Sequence, residues 1–329
     1  MDRRSLLAAG LAAGLGSMAG AQTPPPGSPG KPPPGLPQPT ESINLWPGAA
    51  PGAPRQPLVE TVDERSTDSQ LTDRAVFGIS QPRLVVFRPD RPNGAAVLLI
   101  PGGGYRWIVV DKEGYEMARW LNARGYTAFV LFHRLPGEGW AAGPDVPLVD
   151  AQRALRLIRH RHRQYALGPE RVAVMGFSAG GHVCASLATR FADRVYAAVD
   201  EADALSARPV AAAPIYPVVS MDLAIAHKGS REKLLGPSPS PALEQAYSPD
   251  LHVPADAPPH FLLHAEDDDS VPVDNTLRLH AALRAAKVPV EMHLFAQGGH
   301  GFGLRKTIGK PVEAWPELWR AWARTTGLG

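Results

Sequence analysis

A serine at the boundary between two predicted elements is the first residue of this chain that could carry out chemistry. The apolar stretch 172–175 predicts a buried strand, and it runs directly into a G-x-S-x-G motif, residues 176–180, at the start of a predicted helix. This order of strand, motif and helix is typical of a sharp turn that exposes the serine hydroxyl. The pattern predicts Ser178 as a nucleophile, and the alternative is a plain glycine-serine turn.

A serine hydroxyl is a poor nucleophile without a general base, and one histidine is placed to act as that base. Of the eleven histidines, His300 stands in the glycine-rich loop 297–303, after the strand-like stretch 290–295. Flanking glycines let the imidazole approach another side chain closely, and the loop has no apolar face for a core histidine to join. His300 is therefore the predicted base for Ser178.

The carboxylate that orients the base should come from a loop after another strand. Residues 266–269 are all acidic and follow the predicted strand 261–264. Four neighbouring carboxylates repel one another, so most of them should face solvent, and one alone can hold the histidine. From their place in the chain, Asp267, Asp268 and Asp269 are all candidates.

Donors for an oxyanion are predicted in a glycine-rich turn earlier in the chain. The apolar stretch 95–100 predicts a buried strand and ends in Pro-Gly-Gly-Gly-Tyr at 101–105. Glycines let backbone N–H groups point inward, so Gly103 and Gly104 are the predicted donors, together with Ala179 after the serine. A phosphate-binding loop is the alternative, but it lacks the closing lysine-serine or lysine-threonine pair and the G-x-G-x-x-G spacing.

Together these motifs resemble the α/β-hydrolase superfamily, specifically its acetyl-esterase and feruloyl-esterase-like branch, which acts on side groups of plant polysaccharides. The matching segments are 45–48, 101–105, 176–182, 216–222, 227–231, 268–272 and 298–303. The resemblance implies a serine esterase with a Ser-His-Asp triad, and it favours Asp268 because residues 268–272 match the D-x-x-V-P turn that carries the acid. Pro101 replaces the histidine of the H-G-G-G loop of hormone-sensitive-lipase-type esterases, so that group's preference for lipid-like esters does not carry over.

The elements between the motifs alternate between strand and helix. Further strands are predicted at 126–132 and 210–215, and helices at 113–124, 147–165, 275–286 and 313–325. Such alternation implies an α/β fold with a doubly wound, mostly parallel sheet and helices on both faces, as the resemblance also does. The ligand site of such a sheet lies beyond the carboxyl ends of the strands, where Ser178, Asp268 and His300 fall.

Composition and charge argue against several classes of protein. The 329 residues carry a formal charge of only +2, which indicates neither nucleic acid nor an anionic membrane surface as a partner. No stretch after the leader is long and apolar enough to span a membrane. The histidines at 160 and 162 lie among arginines, which repel cations, so no metal and no cofactor are predicted. Cys184, the single cysteine, is predicted to be a buried small residue rather than a nucleophile.

The first 41 residues are predicted to precede a single catalytic domain, 42–329. Residues 1–21 resemble a bacterial export signal, in which Arg3 and Arg4 precede a mildly apolar stretch and a small-residue cleavage pattern. The paired arginines are typical of the twin-arginine route, and Sec export is the alternative. Residues 22–41 are rich in proline and glycine and predict an extended linker. A periplasmic or secreted protein is expected.

The expected partner is a small-molecule or polysaccharide ester, and both acetyl and feruloyl esters remain open. The proline-rich stretch between 215 and 261 predicts a long loop at the rim of the site, and Trp46, Trp107 and Trp140 are candidates for stacking on a sugar. A peptidase or amidase would use the same triad. A non-catalytic carbohydrate-binding protein on the same scaffold is the alternative from another class.

Overall fold

The computed structural model describes residues 36–329, so the predicted export signal, 1–21, and residues 22–35 of the predicted linker lie outside the described residues. The strands are β1 Glu41–Asn44, β2 Thr61–Glu64, β3 Arg74–Phe77, β4 Arg83–Phe87, β5 Ala96–Ile100, β6 Ile108–Val109, β7 Thr127–Phe132, β8 Val172–Phe177, β9 Ala212–Ile215, β10 His260–Ala265 and β11 Val290–Phe295. The helices are α1 Glu116–Asn122, α2 Val146–His160, α3 Ala179–Thr189, α4 Lys228–Leu235, α5 Pro241–Ala246, α6 Asp274–Ala285 and α7 Trp315–Thr325.

Eight of the strands form one sheet in the order β1-β4-β7-β5-β8-β9-β10-β11. From β7 to β11 every neighbouring pair is parallel, whereas β4 is antiparallel to both β1 and β7. Strands β2, β3 and β6 form a small antiparallel sheet. The predicted α/β fold with a mostly parallel sheet is confirmed.

The central strands are buried on both faces, and their sequences are apolar at nearly every position for that reason. All residues of β5, β7 and β8 are buried. One face of the sheet, with Leu98 and Val174, packs against α2 and α3. The other face, with Leu99 and Met175, packs against α1 and α7. Helices cover both faces of these parallel strands, so the loops after their carboxyl ends lie at one edge of the sheet.

Most predicted elements agree with the structure to within about two residues, which is the usual uncertainty at helix and strand ends. Two helices differ more. The helix predicted at 113–124 begins as a π-helical turn, Asp111–Tyr115, before α1. The helix predicted at 147–165 ends at His160 and is followed by a 3₁₀ turn, His162–Tyr165, in which the His162 imidazole binds the carbonyl oxygen of Arg159 at 2.9 Å.

The stretch between β9 and β10 is not one long loop, so the prediction of a loop is wrong. It contains α4 and α5. Its predicted place at the rim of the site agrees with the structure, because α4 lines the cavity at Ser178. Pro241 occupies the first turn of α5, where its missing N–H removes no helical bond, and the Ser240 hydroxyl caps the helix by accepting from the N–H of Leu243. Part of the proline signal therefore marks a helix start rather than a loop.

Candidate active site

Ser178 forms the sharp turn between β8 and α3, with φ 53° and ψ −118°. A positive φ is unfavourable for a residue with a side chain, and it persists here because the surroundings impose it. A Cβ on Gly176 would lie 2.1 Å from the carbonyl oxygen of Gly180, and one on Gly180 would lie 2.1 Å from that of Ile100. The motif glycines therefore allow α3 to approach β5 and β8 closely enough to present Ser178 at the carboxyl end of the sheet.

Three side chains predicted from separate parts of the sequence meet at this edge of the sheet. Ser178 Oγ lies 2.9 Å from His300 Nε2, and His300 Nδ1 lies 2.7 Å from Asp268 Oδ2. Since Nδ1 faces a carboxylate, it carries the proton of the neutral imidazole, and Nε2 is left to accept from the serine hydroxyl. The Asp268 side chain is fully buried, while that of His300 remains 22% exposed.

The structure distinguishes the three aspartates that position in the chain leaves open. Asp267 Oδ1 accepts hydrogen bonds, at 2.8 and 2.7 Å, from two consecutive backbone N–H groups just before His300. Asp269 is exposed and accepts from the hydroxyl of the adjacent serine at 3.1 Å. Of the three, Asp268 is the one in contact with the imidazole, whereas Asp267 holds the loop that carries it.

Four donors surround the Asp268 carboxylate. Oδ2 contacts His300 and also His264 Nε2 at 3.1 Å, and Oδ1 accepts from the N–H groups of Ser270 and Val271 at 3.0 and 2.8 Å. Burial alone would raise the pKa of Asp268. The hydrogen bonds from His264 and His300 outweigh it and hold the pKa well below its usual range, so the carboxylate stays ionised at neutral pH.

His264 is a member of the site that the sequence patterns did not reveal. It is fully buried in β10, with Nδ1 2.7 Å from Thr276 Oγ1 and Nε2 3.0 Å from the Val271 carbonyl oxygen. Nε2 faces two acceptors, a carbonyl and a carboxylate, so it carries the proton, and Nδ1 accepts from the threonine. The available signal was a polar residue near the end of an apolar strand, four residues before Asp268.

Ser178 and His300 open onto a cavity of about 390 Å³. The glycine-rich loop after β5 forms part of its wall through Gly103 and Gly104, whose φ angles are 135° and 65°. Within residues 36–329, the N–H groups of these two glycines and of Ala179 have no hydrogen-bond acceptor. All three predicted donors are therefore available to a ligand oxygen.

A buried carboxylate that the sequence patterns did not reveal joins the glycine loop to the histidine loop. Glu113 Oε2 accepts from the N–H of Gly102 at 2.8 Å, and Oε1 accepts from the Tyr216 hydroxyl at 3.1 Å. The same hydroxyl accepts from the N–H of Gly303 at 3.1 Å, and the Tyr216 ring packs against the His300 ring with centroids 5.3 Å apart. These contacts position both loops relative to each other.

Of the three tryptophans considered for sugar stacking, Trp107 lines the cavity and the other two do not. Trp46 and Trp140 are each 4% exposed, and Trp46 Nε1 donates to Asp150 at 3.3 Å. The prediction is wrong for these two because a single aromatic residue in a loop sequence does not show which side faces the core.

Residues 36–329 include no helix long and apolar enough to cross a lipid bilayer. Nor does this part of the chain contain a group of three or more histidine, cysteine, aspartate or glutamate side chains that could hold a metal ion. Cys184 is fully buried, and burial raises the pKa of its thiol to about 12, so the reactive thiolate does not form near neutral pH.

A protein-family comparison covers the region of Ser178 and Asp268. The sequence model of the BD-FAE family matches residues 86–283, well over half of the chain. The chain belongs to the BD-FAE family. The match contains the glycine-rich loop, Ser178 and Asp268, and it ends before His300.

Individual relatives agree with this assignment. An acetylxylan esterase from Xylanibacter ruminicola is 33% identical over 225 residues, which are 67% of this chain and 44% of the relative. Endo-1,4-beta-xylanase B from Butyrivibrio fibrisolvens is 36% identical over 234 residues, 71% of this chain and 36% of the relative. This BD-FAE family chain therefore spans less than half the length of these two curated relatives.

A solved structure is similar over nearly all of its length. The acetyl ester-xyloside bifunctional hydrolase from Caldicellulosiruptor lactoaceticus has a TM-score of 0.72 and 33% identity, with 89% of this chain and 99% of that chain covered. The resemblance to acetyl-esterase and feruloyl-esterase-like α/β-hydrolases is thus confirmed.

Proposed function

We propose that this BD-FAE family chain is a serine esterase that removes acetyl or similar acyl groups from esters on polysaccharides or oligosaccharides. The observation that carries the proposal is the hydrogen-bonded chain from Ser178 through His300 to Asp268, with contacts of 2.9 and 2.7 Å at a cavity. The names of the relatives, an acetylxylan esterase and an acetyl ester-xyloside hydrolase, support the substrate class.

In the first half of the reaction, Ser178 Oγ forms a bond to the carbonyl carbon of the ester while His300 Nε2 takes its proton. The N–H groups of Gly103, Gly104 and Ala179 bind the resulting oxyanion. When the tetrahedral intermediate collapses, the ester C–O bond breaks and His300 gives its proton to the leaving alcohol. An acyl-enzyme on Ser178 remains.

In the second half, water attacks the acyl carbon, and His300 takes one of its protons. Collapse of this intermediate returns a proton to Ser178 Oγ and releases the carboxylic acid. Asp268 stays ionised throughout, because its four donors favour the charged form, and it stabilises the imidazolium in both halves.

Replacement of the nucleophile tests the proposal directly. With 4-nitrophenyl acetate as substrate, Ser178→Ala should lower kcat by roughly 10³-fold or more, since the oxyanion donors alone give little turnover. Ser186→Ala, the same substitution at another buried position of α3, is the matched control and should retain activity. A fluorophosphonate probe should label Ser178 in the unaltered protein. The assignment of Ser178 as nucleophile would be refuted if a correctly folded Ser178→Ala protein turned over the ester as fast as Ser186→Ala does.

We also propose that the chain is exported, on the basis of the paired arginines, apolar stretch and cleavage pattern in residues 1–21. Expression of the full chain in a bacterium should yield a periplasmic protein whose first residue is Gln22, as read by mass spectrometry. Replacement of Arg3 and Arg4 by lysine should retain the precursor in the cytoplasm if the twin-arginine route is used. An uncleaved chain found only in the cytoplasm would contradict the proposal.

A further inference from the structure

The wall of the cavity is rich in positive charge. Four basic side chains line it, those of Arg65, Arg106, Lys112 and Lys233. Arg65 already forms an ion pair, at 2.7 Å, with an aspartate outside the cavity wall. The other three have no carboxylate within ion-pair distance anywhere in residues 36–329.

Lys112 lies beside the loop that carries His300. A Cβ on Gly301, the residue after His300, would lie 3.2 Å from Lys112 Nζ, and one on Gly303 would lie 2.9 Å from Lys112 Cγ. The lysine stem therefore packs beneath the histidine loop and holds the ammonium beside it. Burial lowers the pKa of Lys112 and outweighs the opposing effect of the nearby Glu113 charge, as expected for an ammonium group taken partly out of water.

Arg106 and Lys233 extend the positive surface to the rim of the cavity. Both are exposed, and the Arg106 guanidinium stacks over the Trp107 ring, 4.5 Å from its centroid. A cation thus stands next to an aromatic face, and a sugar ring with an acidic substituent presents the complementary pair of features.

The cavity wall also contains two glutamates. Burial lowers the pKa of Lys112 and the negative charge of Glu113 opposes that effect, but neither glutamate forms an ion pair with Lys112. Both carboxylate oxygens of Glu113 are bound, to the N–H of Gly102 and to the Tyr216 hydroxyl. Glu232 lies exposed on α4, where solvent screens its charge. The half-buried ammonium beside Gly301 has no carboxylate at ion-pair distance within residues 36–329, so it can still form an ion pair with an anion brought in by the substrate.

We propose that the cavity selects esters whose substrate carries a carboxylate close to the ester group, with Lys112 as the inner contact and Arg106 and Lys233 at the rim. This inference rests on the proposed esterase function and names its substrate class. The carboxylate has two chemical sources, a uronic acid in the sugar chain or the free acid of a dicarboxylic half-ester, and the experiment separates them.

The test compares matched neutral and anionic esters. One arm uses 4-nitrophenyl butyrate against 4-nitrophenyl hemisuccinate, and the other uses acetylated xylo-oligosaccharides without and with a glucuronic acid substituent. The measured quantity is the ratio of kcat/KM for the anionic ester to that for the neutral ester. Both esters form the same kind of oxyanion, so any effect of the cations on that oxyanion changes both kcat/KM values equally and cancels in the ratio.

We expect the ratio to exceed one in at least one arm and to fall about tenfold in Lys112→Met, which keeps the length of the stem without the charge. Lys112→Arg should retain most of the preference. Arg106→Gln and Lys233→Met should lower the ratio by about threefold, and the exposed Lys310→Met, outside the cavity wall, is the control. Raising the salt concentration from 0.05 to 0.5 M should lower kcat/KM for the anionic ester more than for the neutral one.

The outcomes separate this inference from the proposed function. A preference confined to the hemisuccinate assigns the carboxylate to the acyl group, and one confined to the glucuronic acid arm assigns it to the sugar. The inference is overturned if Ser178 is needed to hydrolyse both esters of each arm but the anionic-to-neutral ratio of kcat/KM stays near one. In that case neither Lys112→Met nor salt changes the ratio, and the esterase proposal stands. If no ester is hydrolysed through Ser178, both fall.

Discussion

At the scale of single residues, the site depends on a buried carboxylate whose charge is stabilised by donors on every side. Asp268 takes hydrogen bonds from two imidazoles and two backbone N–H groups, and these outweigh the cost of burying it. Its neighbours have different tasks: Asp267 holds the histidine loop, and Asp269 faces solvent.

The three aspartates should respond differently to the same substitution. Asp268→Asn should lower kcat by about 10³- to 10⁴-fold, because the amide disturbs both the tautomer and the orientation of His300. Asp269→Asn should change kcat less than about twofold. The loss of kcat in Asp267→Asn should lie between these two, since this substitution weakens two hydrogen bonds to the loop that carries His300. Steady-state kinetics with 4-nitrophenyl acetate measure the order, and a large loss at Asp269 alone would contradict it.

His264 should affect stability as well as activity. His264→Leu removes a donor from the buried Asp268 carboxylate and should lower the free energy of unfolding by about 1–3 kcal/mol. We also expect kcat to fall about tenfold, because the carboxylate gains freedom to turn away from His300. Urea unfolding and kinetics measure the two effects. His293→Leu, on the neighbouring strand and partly exposed, is the control. Equal losses of stability and of kcat in both variants would show that the contact of His264 with Asp268 has no effect of its own.

At the scale of elements, the position of Ser178 depends on how closely α3 approaches β5 and β8. The G-x-S-x-G motif is local in sequence, but Gly180 is required by an atom from another strand. The carbonyl oxygen of Ile100 lies where a Gly180 side chain would begin. In the segment before β10, by contrast, the local sequence predicts the wrong structure. Its prolines are typical of a loop, yet the chain folds there into α4 and α5, because packing and caps override composition.

Gly180→Ala should therefore destabilise the protein although alanine is the better helix former. Helix propensity alone predicts a gain of up to about 1 kcal/mol. The clash with backbone atoms that cannot rotate away should instead cost about 2 kcal/mol or more and lower kcat. Gly48→Ala, at a glycine with no atom within 4 Å of the added Cβ, is the matched control. Thermal unfolding measures the Tm of both variants. An unchanged or raised Tm in Gly180→Ala would contradict the prediction, because it would show that the turn at Ser178 can adjust to the added methyl group.

At the scale of the whole molecule, buried histidines couple folding to pH. Burial lowers the pKa of His182 and of His260 to about 4. His182 links the glycine-rich loop to α3, because its Nδ1 lies 2.6 Å from the Tyr105 hydroxyl. His260 Nδ1 contacts the Pro258 carbonyl oxygen at 2.7 Å, and its Nε2 has no partner among residues 36–329. Protonation would leave a cation in the core.

The free energy of unfolding should consequently fall as the pH falls from about 6.5 towards 4. In that window the unfolded chain binds protons at these histidines and the folded chain does not. Each lowered pKa therefore reduces the free energy of unfolding by about 2 kcal/mol between pH 7 and pH 5. His260→Asn keeps a donor for Pro258 and should reduce the pH dependence by that amount. His160→Asn, at an exposed position, is the control. Urea unfolding at pH 7 and pH 5 measures the difference, and an unchanged slope in His260→Asn would refute the coupling.

The sequence by itself determined the fold class, the elbow at Ser178, the glycine-rich loop and the loop of His300. Each of these depends on neighbouring residues: the periodicity of apolar side chains, and glycines where the backbone turns sharply. The resemblance favours Asp268, but the tertiary structure alone shows that its carboxylate contacts His300. The direction of three adjacent side chains depends on packing against a loop about thirty residues away. The tertiary structure also brought His264, Glu113 and Lys112 to the site. Local patterns do not show what these residues contact, since burial and proximity arise only when distant segments of the chain pack together.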